Sequence, residues 1–120
     1  MNRYQHVLSQ LKEFENKINL SILVYLVDWK SCIEYGCQAT EVNWKNGITP
    51  IIWDLDNKII STEDQLIEAV LFVKETASKM EAHELVRLCQ STYPVYFQEK
   101  NKNLNLVNLS REYNNIKHLF

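Results

Sequence analysis

The chain has 120 residues, 46% of them hydrophobic and 23% charged, with only two Gly and two Pro and a net charge of −2. Such a composition is globular rather than disordered, and at this length roughly two thirds of the unfolded surface is buried around one core without a metal or disulfide staple. A balance so near neutrality excludes a whole-molecule field that would draw the protein onto nucleic acid or anionic lipid, and a single domain over residues 1–120 is the expectation.

Tyr4, Val7, Leu8, Leu11 and Phe14 recur at the i, i+3, i+4, i+7 spacing that gathers side chains on one side of a first helix. The next stretch, Leu20 to Tyr35, is apolar almost all round between Ile22 and Val27, a pattern shared by buried helices and buried strands. Its length without Gly or Pro, and a Gly36 placed for a left-handed cap, favour a central helix from Asn19 or Ser21 to Tyr35. The greasy run from Ile18 to Val27 is about half of what a membrane span requires. Between Thr40 and Ile60, the residues Val42, Trp44, Ile51, Trp53, Leu55 and Ile59 alternate with polar neighbours around Asn46, Gly47 and Pro50, which predicts a small hairpin or short meander.

Thr62 and Gln65 have the spacing of a capping box, and Glu63 and Asp64 place negative charge at the positive end of a helix dipole. The third helix then runs to about Lys79 on an apolar face of Leu66, Ile67, Val70, Leu71 and Val73. Ala82, Leu85, Val86 and Cys89 make a shorter fourth helix, which Pro94 bars from continuing. An Asn-rich stretch from Gln98 to Asn108, docked by Leu104, Leu106, Val107 and Leu109, leads to a last helix capped by Ser110 and carrying Tyr113, Ile116, Leu119 and Phe120. The fold expected is α+β and mainly α: about five helices packed around a buried central helix, with a small β-hairpin.

Little in the chain suggests reactive chemistry. His6, His83 and His118 lie far apart, and Cys32 and Cys37 are not at a zinc spacing, so no metal and no cofactor are expected; the thiols read as buried or half-buried and the imidazoles as surface groups. No Gly-x-Ser-x-Gly, Gly-rich phosphate loop or Cys/His pair is present, and Asp54 and Asp56 read as the polar face and turn of a strand, so no catalytic residue is assigned. The odd cysteine number, with Cys89 as the third, and the mixed charges from Met1 to Glu15 point to a reducing, cytoplasmic setting without a secretory signal. Tyr35, Trp29, Trp44 and Trp53 are of the types that dominate protein interfaces, although a small domain spends most of its tryptophans on the core and about one or two of the three would be exposed.

The order of several short motifs is distinctive. The run Leu23-Val24-Tyr25-Leu26-Val27-Asp28, then Glu34-Tyr35-Gly36, then Gly47-Ile48-Thr49-Pro50 resembles the Panacea domain, the SocA-like antitoxin family of bacteria and phages. The third helix is similar to the family's Leu-Ser-x-x-Glu helix, and Glu84-Leu85-Val86 followed by Tyr93-Pro94-Val95-Tyr96 is similar to its Glu-Leu and Pro-x-Trp stretch. Departures mark a shortened or divergent member: Ile48 replaces the first proline of the glycine turn, Tyr96 stands where Trp is usual, and strand-like Ile51 to Asp54 replaces the helix after the turn.

The resemblance implies an antitoxin, not an enzyme, that binds and neutralises a cognate toxin protein, in some relatives as an adaptor handing the toxin to a protease. It implies a partner-binding surface around Tyr35, Gly36, Trp44, Gly47 and Pro50, with Asp28 as a structural acceptor joining helix to hairpin. The alternative function is a DNA-binding regulator built on a helix-turn-helix of the third and fourth helices, followed by a tail basic at Lys100, Lys102, Arg111 and Lys117. Glu81 and Glu84 against the single Arg87 argue against that alternative, because a helix facing phosphates needs a surplus of cations.

Overall fold

The computed structural model describes residues 2–55 and 59–117. Helix α1 (Arg3–Leu11) opens on a capping box in which Asn2 and Gln5 satisfy each other's backbone N–H groups, and it tightens into a 3-10 turn at Lys12–Phe14. Helix α2 (Leu20–Tyr35) is capped by Asn19, whose side chain accepts from Ser21 N, and ends at Gly36, whose φ of 78° is the left-handed geometry that glycine adopts without a Cβ penalty. Every residue from Ile22 to Trp29 is buried, which is why this helix shows no single apolar stripe: neighbours surround it. Helix α3 (Glu63–Lys79) carries the expected box between Thr62 and Gln65 and turns Leu66, Ala69, Val70, Val73 and Ala77 inward. Helix α4 (Ala82–Ser91) adds Leu85 and Cys89, and α1, α3, α4 and the last helix all pack on α2.

The second half departs from expectation in three places. Helix α4 ends at Ser91, short of Pro94 as expected, but a further short helix α5 (Tyr93–Phe97) follows at once, with Pro94 in its first turn, where its missing N–H needs no partner. The last helix, α6 (Leu106–Ile116), starts a turn before Ser110, because the Asn105 side chain accepts from Asn108 N while Ser110 Oγ, inside the helix, donates back to Val107 O. Leu119 and Phe120 lie outside the described residues. The Asn-rich stretch also supplies a two-residue strand that pairs beside the hairpin.

Strands β1 (Val42–Lys45), β2 (Ile51–Leu55) and β3 (Asn103–Leu104) form an antiparallel sheet in the order β2-β1-β3. Val42 faces Leu55 and Asn43 faces Asp54, but Trp44 then faces Ile52, which leaves Trp53 as the additional residue of a β-bulge. The fold is therefore α+β with six α-helices and a three-stranded sheet among the described residues. None of the described helices is long and apolar enough to cross a membrane.

Candidate protein-binding hairpin

The rear of the hairpin is fixed by two buried polar side chains, the first of them on α2. Asp28 is fully buried among apolar neighbours. Its Oδ1 accepts from Ala39 N at 3.0 Å and Thr40 N at 2.8 Å; its Oδ2 accepts from Thr40 Oγ1 at 2.6 Å, Trp44 Nε1 at 2.9 Å and Gln38 Nε2 at 3.2 Å. All five donors belong to the link between α2 and β1 or to β1 itself, so one carboxyl group sets where the chain enters the hairpin. Gln38 Nε2 also reaches Thr40 O and Val42 O, and Ser31 Oγ donates to Cys37 O, tying the same link to itself and to α2. Burial pushes the Asp28 carboxyl from its ordinary 3.8 up to about 7, against the pull of the Thr40 hydroxyl, the Trp44 indole and the backbone N–H groups of Thr40 and Ala39.

The second anchor is Asn46, directly after β1 and also fully buried. Its Nδ2 donates to Gln98 O at 2.8 Å and to Val95 O and Glu99 O at 3.3 Å, carbonyls within α5 and just beyond its end, and its Oδ1 accepts from Gly47 N at 3.0 Å. Its own N–H donates to Lys102 O and its carbonyl accepts from Asn101 N. Gln90 Nε2 grips Ile48 O and Lys100 Nζ grips Gly47 O from outside the turn. Gly47 is needed here for space: an added Cβ would lie 2.9 Å from Thr49 O and from Ile51 Cδ1. Asn46→Ala is expected to remove about 2–3 kcal/mol of stability, because the buried Val95 carbonyl and the partly buried Gln98 and Glu99 carbonyls lose their shared donor. Urea denaturation measures the loss, and an unchanged midpoint would show that the carbonyls find other donors.

The outer strand of the hairpin is different in kind. Strand β2 is an edge strand, and Ile51, Trp53 and Leu55 are 48%, 54% and 38% exposed. Ile48 at the turn and Ile59 after the strand are exposed as well. Trp53 and Ile59 border an open groove of about 560 Å³ whose polar lining includes Asn43, Asn103, Asn108 and Arg111. The alternation in the sequence located Ile51, Trp53 and Leu55 on a strand, but neither its place at the edge of the sheet nor the bulge that shifts its register was readable there.

The residues expected around the partner surface separate into two neighbourhoods. Tyr35 is half-buried and donates its hydroxyl to Glu68 on α3, a bond that pushes the phenol up to about 12, and Gly36 beside it is exposed. Gly47 faces Ile51 and Lys100 at the far end of β1. Trp44 and Pro50 are corrected to the interior: Trp44 is 1% exposed and packs edge-to-face on Tyr25 with ring centres 5.5 Å apart, and Pro50 is buried. Of the three tryptophans, Trp29 and Trp44 are core and Trp53 is at the surface.

The remaining polar candidates stay apart. His6 Nε2 lies 3.3 Å from Glu63 Oε1, and His83 is exposed. Asp54 is exposed and accepts from Leu55 N; Asp56 and His118 lie outside the described residues. Cys32 and Cys89 are buried, and burial pushes the Cys89 thiol up to about 12, away from reactivity. Among the described residues no group of three or more His, Cys, Asp or Glu is placed to hold a metal ion. Compared with known protein families, curated proteins and solved structures, the chain matches none.

Proposed function

We propose that this protein is an antitoxin-type binder, working in the cytoplasm, that neutralises a cognate toxin protein by seating it on β2, the edge strand of the β1–β2 hairpin. The observation that carries the reading is the contrast between the two strands of that hairpin: Ile51, Trp53 and Leu55 are open to solvent on the edge strand β2, while Asp28 and Asn46 lock the chain on either side of β1. Exposed apolar and aromatic side chains on an edge strand are a contact surface, and a surface already held in shape loses little entropy when it is covered. The Panacea-like motif order supplies the class of partner, and a shortened toxin half-life in cells would reveal the adaptor role that the resemblance also implies.

Coexpression with the product of the neighbouring gene tests the proposal. A stable complex and rescued growth are the expected result, with Trp53→Ala weakening the complex about tenfold or more while leaving far-UV circular dichroism unchanged. A neighbour that is harmless alone and does not copurify removes the antitoxin reading. Salt-sensitive binding to the protein's own promoter, lost on neutralising Lys100, Lys102 and Arg111, would support the DNA-binding alternative instead.

A further inference from the structure

The groove beside Trp53 has a polar lining rich in unspent donors. Asn105 caps α6 with its Oδ1, which accepts from Asn108 N, and this leaves its NH2 group over. Asn108 Oδ1 in turn accepts from Arg111 Nη1 at 3.5 Å, so the NH2 of Asn108 is left over as well. The three residues recur every third position of one helix and all are exposed. Asn103, exposed on β3, lines the same groove.

Nothing in the described lining balances the charge of Arg111. Among the described residues no carboxylate borders the groove, and the long bond to Asn108 is the guanidinium's one contact with an acceptor. Asp54, next to Trp53 in sequence, is turned to Leu55 N and does not line the groove. The apolar wall is formed by Trp53 and Ile59, both exposed. Trp53 therefore belongs to the open surface of β2 and to the groove at once, and a segment covering β2 is led across its ring toward Arg111. A free small molecule would be poorly held, because the polar lining is itself exposed and leaves much of such a ligand in water.

We infer, resting on the toxin-binding reading of β2, that this groove is the polar anchor of the interface and receives an Asp or Glu side chain from the toxin segment that lies on β2. Arg111 binds the carboxylate, the amides of Asn105 and Asn108 donate beside it, and a neighbouring apolar side chain of the toxin rests on Trp53 and Ile59. A guanidinium meets a carboxylate through paired N–H···O bonds, which fixes geometry as well as charge. The apolar contact supplies most of the affinity, and the ion pair supplies register and partner choice. A nucleic-acid backbone suits the groove less well, since a run of phosphates needs several cations and the described lining holds one.

The test is isothermal titration of the full-length protein with the neighbouring gene product. Arg111→Glu is expected to weaken the complex about tenfold or more. A single Asp→Lys or Glu→Lys change in the toxin, found by screening its acidic positions for regained growth rescue, should restore it. Asn108→Asp should weaken binding too, because the new carboxylate occupies Arg111 from within, yet its place in the first turn of α6 keeps the thermal midpoint unchanged or raises it. An unchanged midpoint for the exposed Arg111 variant confirms its fold. A complex undiminished by Arg111→Glu, or one that no acidic position of the toxin restores, overturns the inference and leaves the antitoxin reading standing. Absence of any wild-type complex ends both. Loss of promoter DNA binding with an intact toxin complex overturns the inference and assigns Arg111 to nucleic acid.

Discussion

Replacing Asp28 by Ala is expected to remove about 4 kcal/mol or more of folding stability, a large share of what a domain of this size possesses. The side chain has no access to water, so the N–H groups of Ala39 and Thr40, the indole of Trp44 and the amide of Gln38 would be stranded without their shared acceptor. Asp28→Asn should be nearly as harmful in spite of its matching shape. An amide offers only one accepting atom, and whichever way it is turned, its NH2 group faces donors: Ala39 N and Thr40 N on one side, Trp44 Nε1 and Gln38 Nε2 on the other.

The same residue dictates a dependence on pH. Its folded-state value of about 7 lies above the ordinary 3.8, so the native state holds the proton more tightly than the unfolded chain does. The stability this adds is fully present below about pH 4 and is lost as pH rises through about 7, a change on the order of 4 kcal/mol at ~1.4 kcal/mol per pH unit. Urea midpoints for wild type across that window should fall with rising pH, and the Asn variant should lack the slope. A wild-type midpoint that rises with pH across the same window, with the slope removed by Asp28→Asn, would show that the five donors outweigh burial and keep the group ionised.

Trp44→Ala is expected to cost about 3–5 kcal/mol, the range for deleting a buried aromatic side chain. Its ring is pressed against Tyr25 and lies across the sheet from Ile52 and Leu104, and its Nε1 serves Asp28. Trp44→Phe separates packing from hydrogen bonding: much of the ring remains, and the loss should be about 1–2 kcal/mol. Because the indole donor favours the charged carboxylate, the Phe variant should also move the Asp28 transition to higher pH. Trp53→Ala, by contrast, should leave the denaturation midpoint almost unchanged. If Trp44→Ala retained full stability and lost only partner binding, the placement of Trp44 in the core would be wrong.

What the sequence disclosed about the fold was written in local signals. Asn19 and Gly36 delimit α2, and Thr62 with Gln65 opens α3, because a cap is a contract between residues a few positions apart. Helix α5, strand β3 and the early start of α6 were hidden, since five residues and two residues are too few to display a period and since Asn105 and Ser110 are both acceptable caps until tertiary contact chooses. The candidate surface was hidden for a related reason. Trp44 and Trp53 look alike in an alternating strand, and only the position of α2 behind the sheet makes one core and the other surface. Asn46 read as a common turn residue; that its side chain reaches three carbonyls fifty positions away is a property of the folded chain.

The bulge at Trp53 bears on association of the protein with its own copies. A greasy strand at the margin of a sheet is a template for its own copies, which would grow edge on edge into aggregates. The extra residue breaks the regular ladder and increases the local twist, and Asp54 sets a charge next to the break. A flat, identical neighbour therefore meets a warped seam, while a differently shaped surface has no such obstacle.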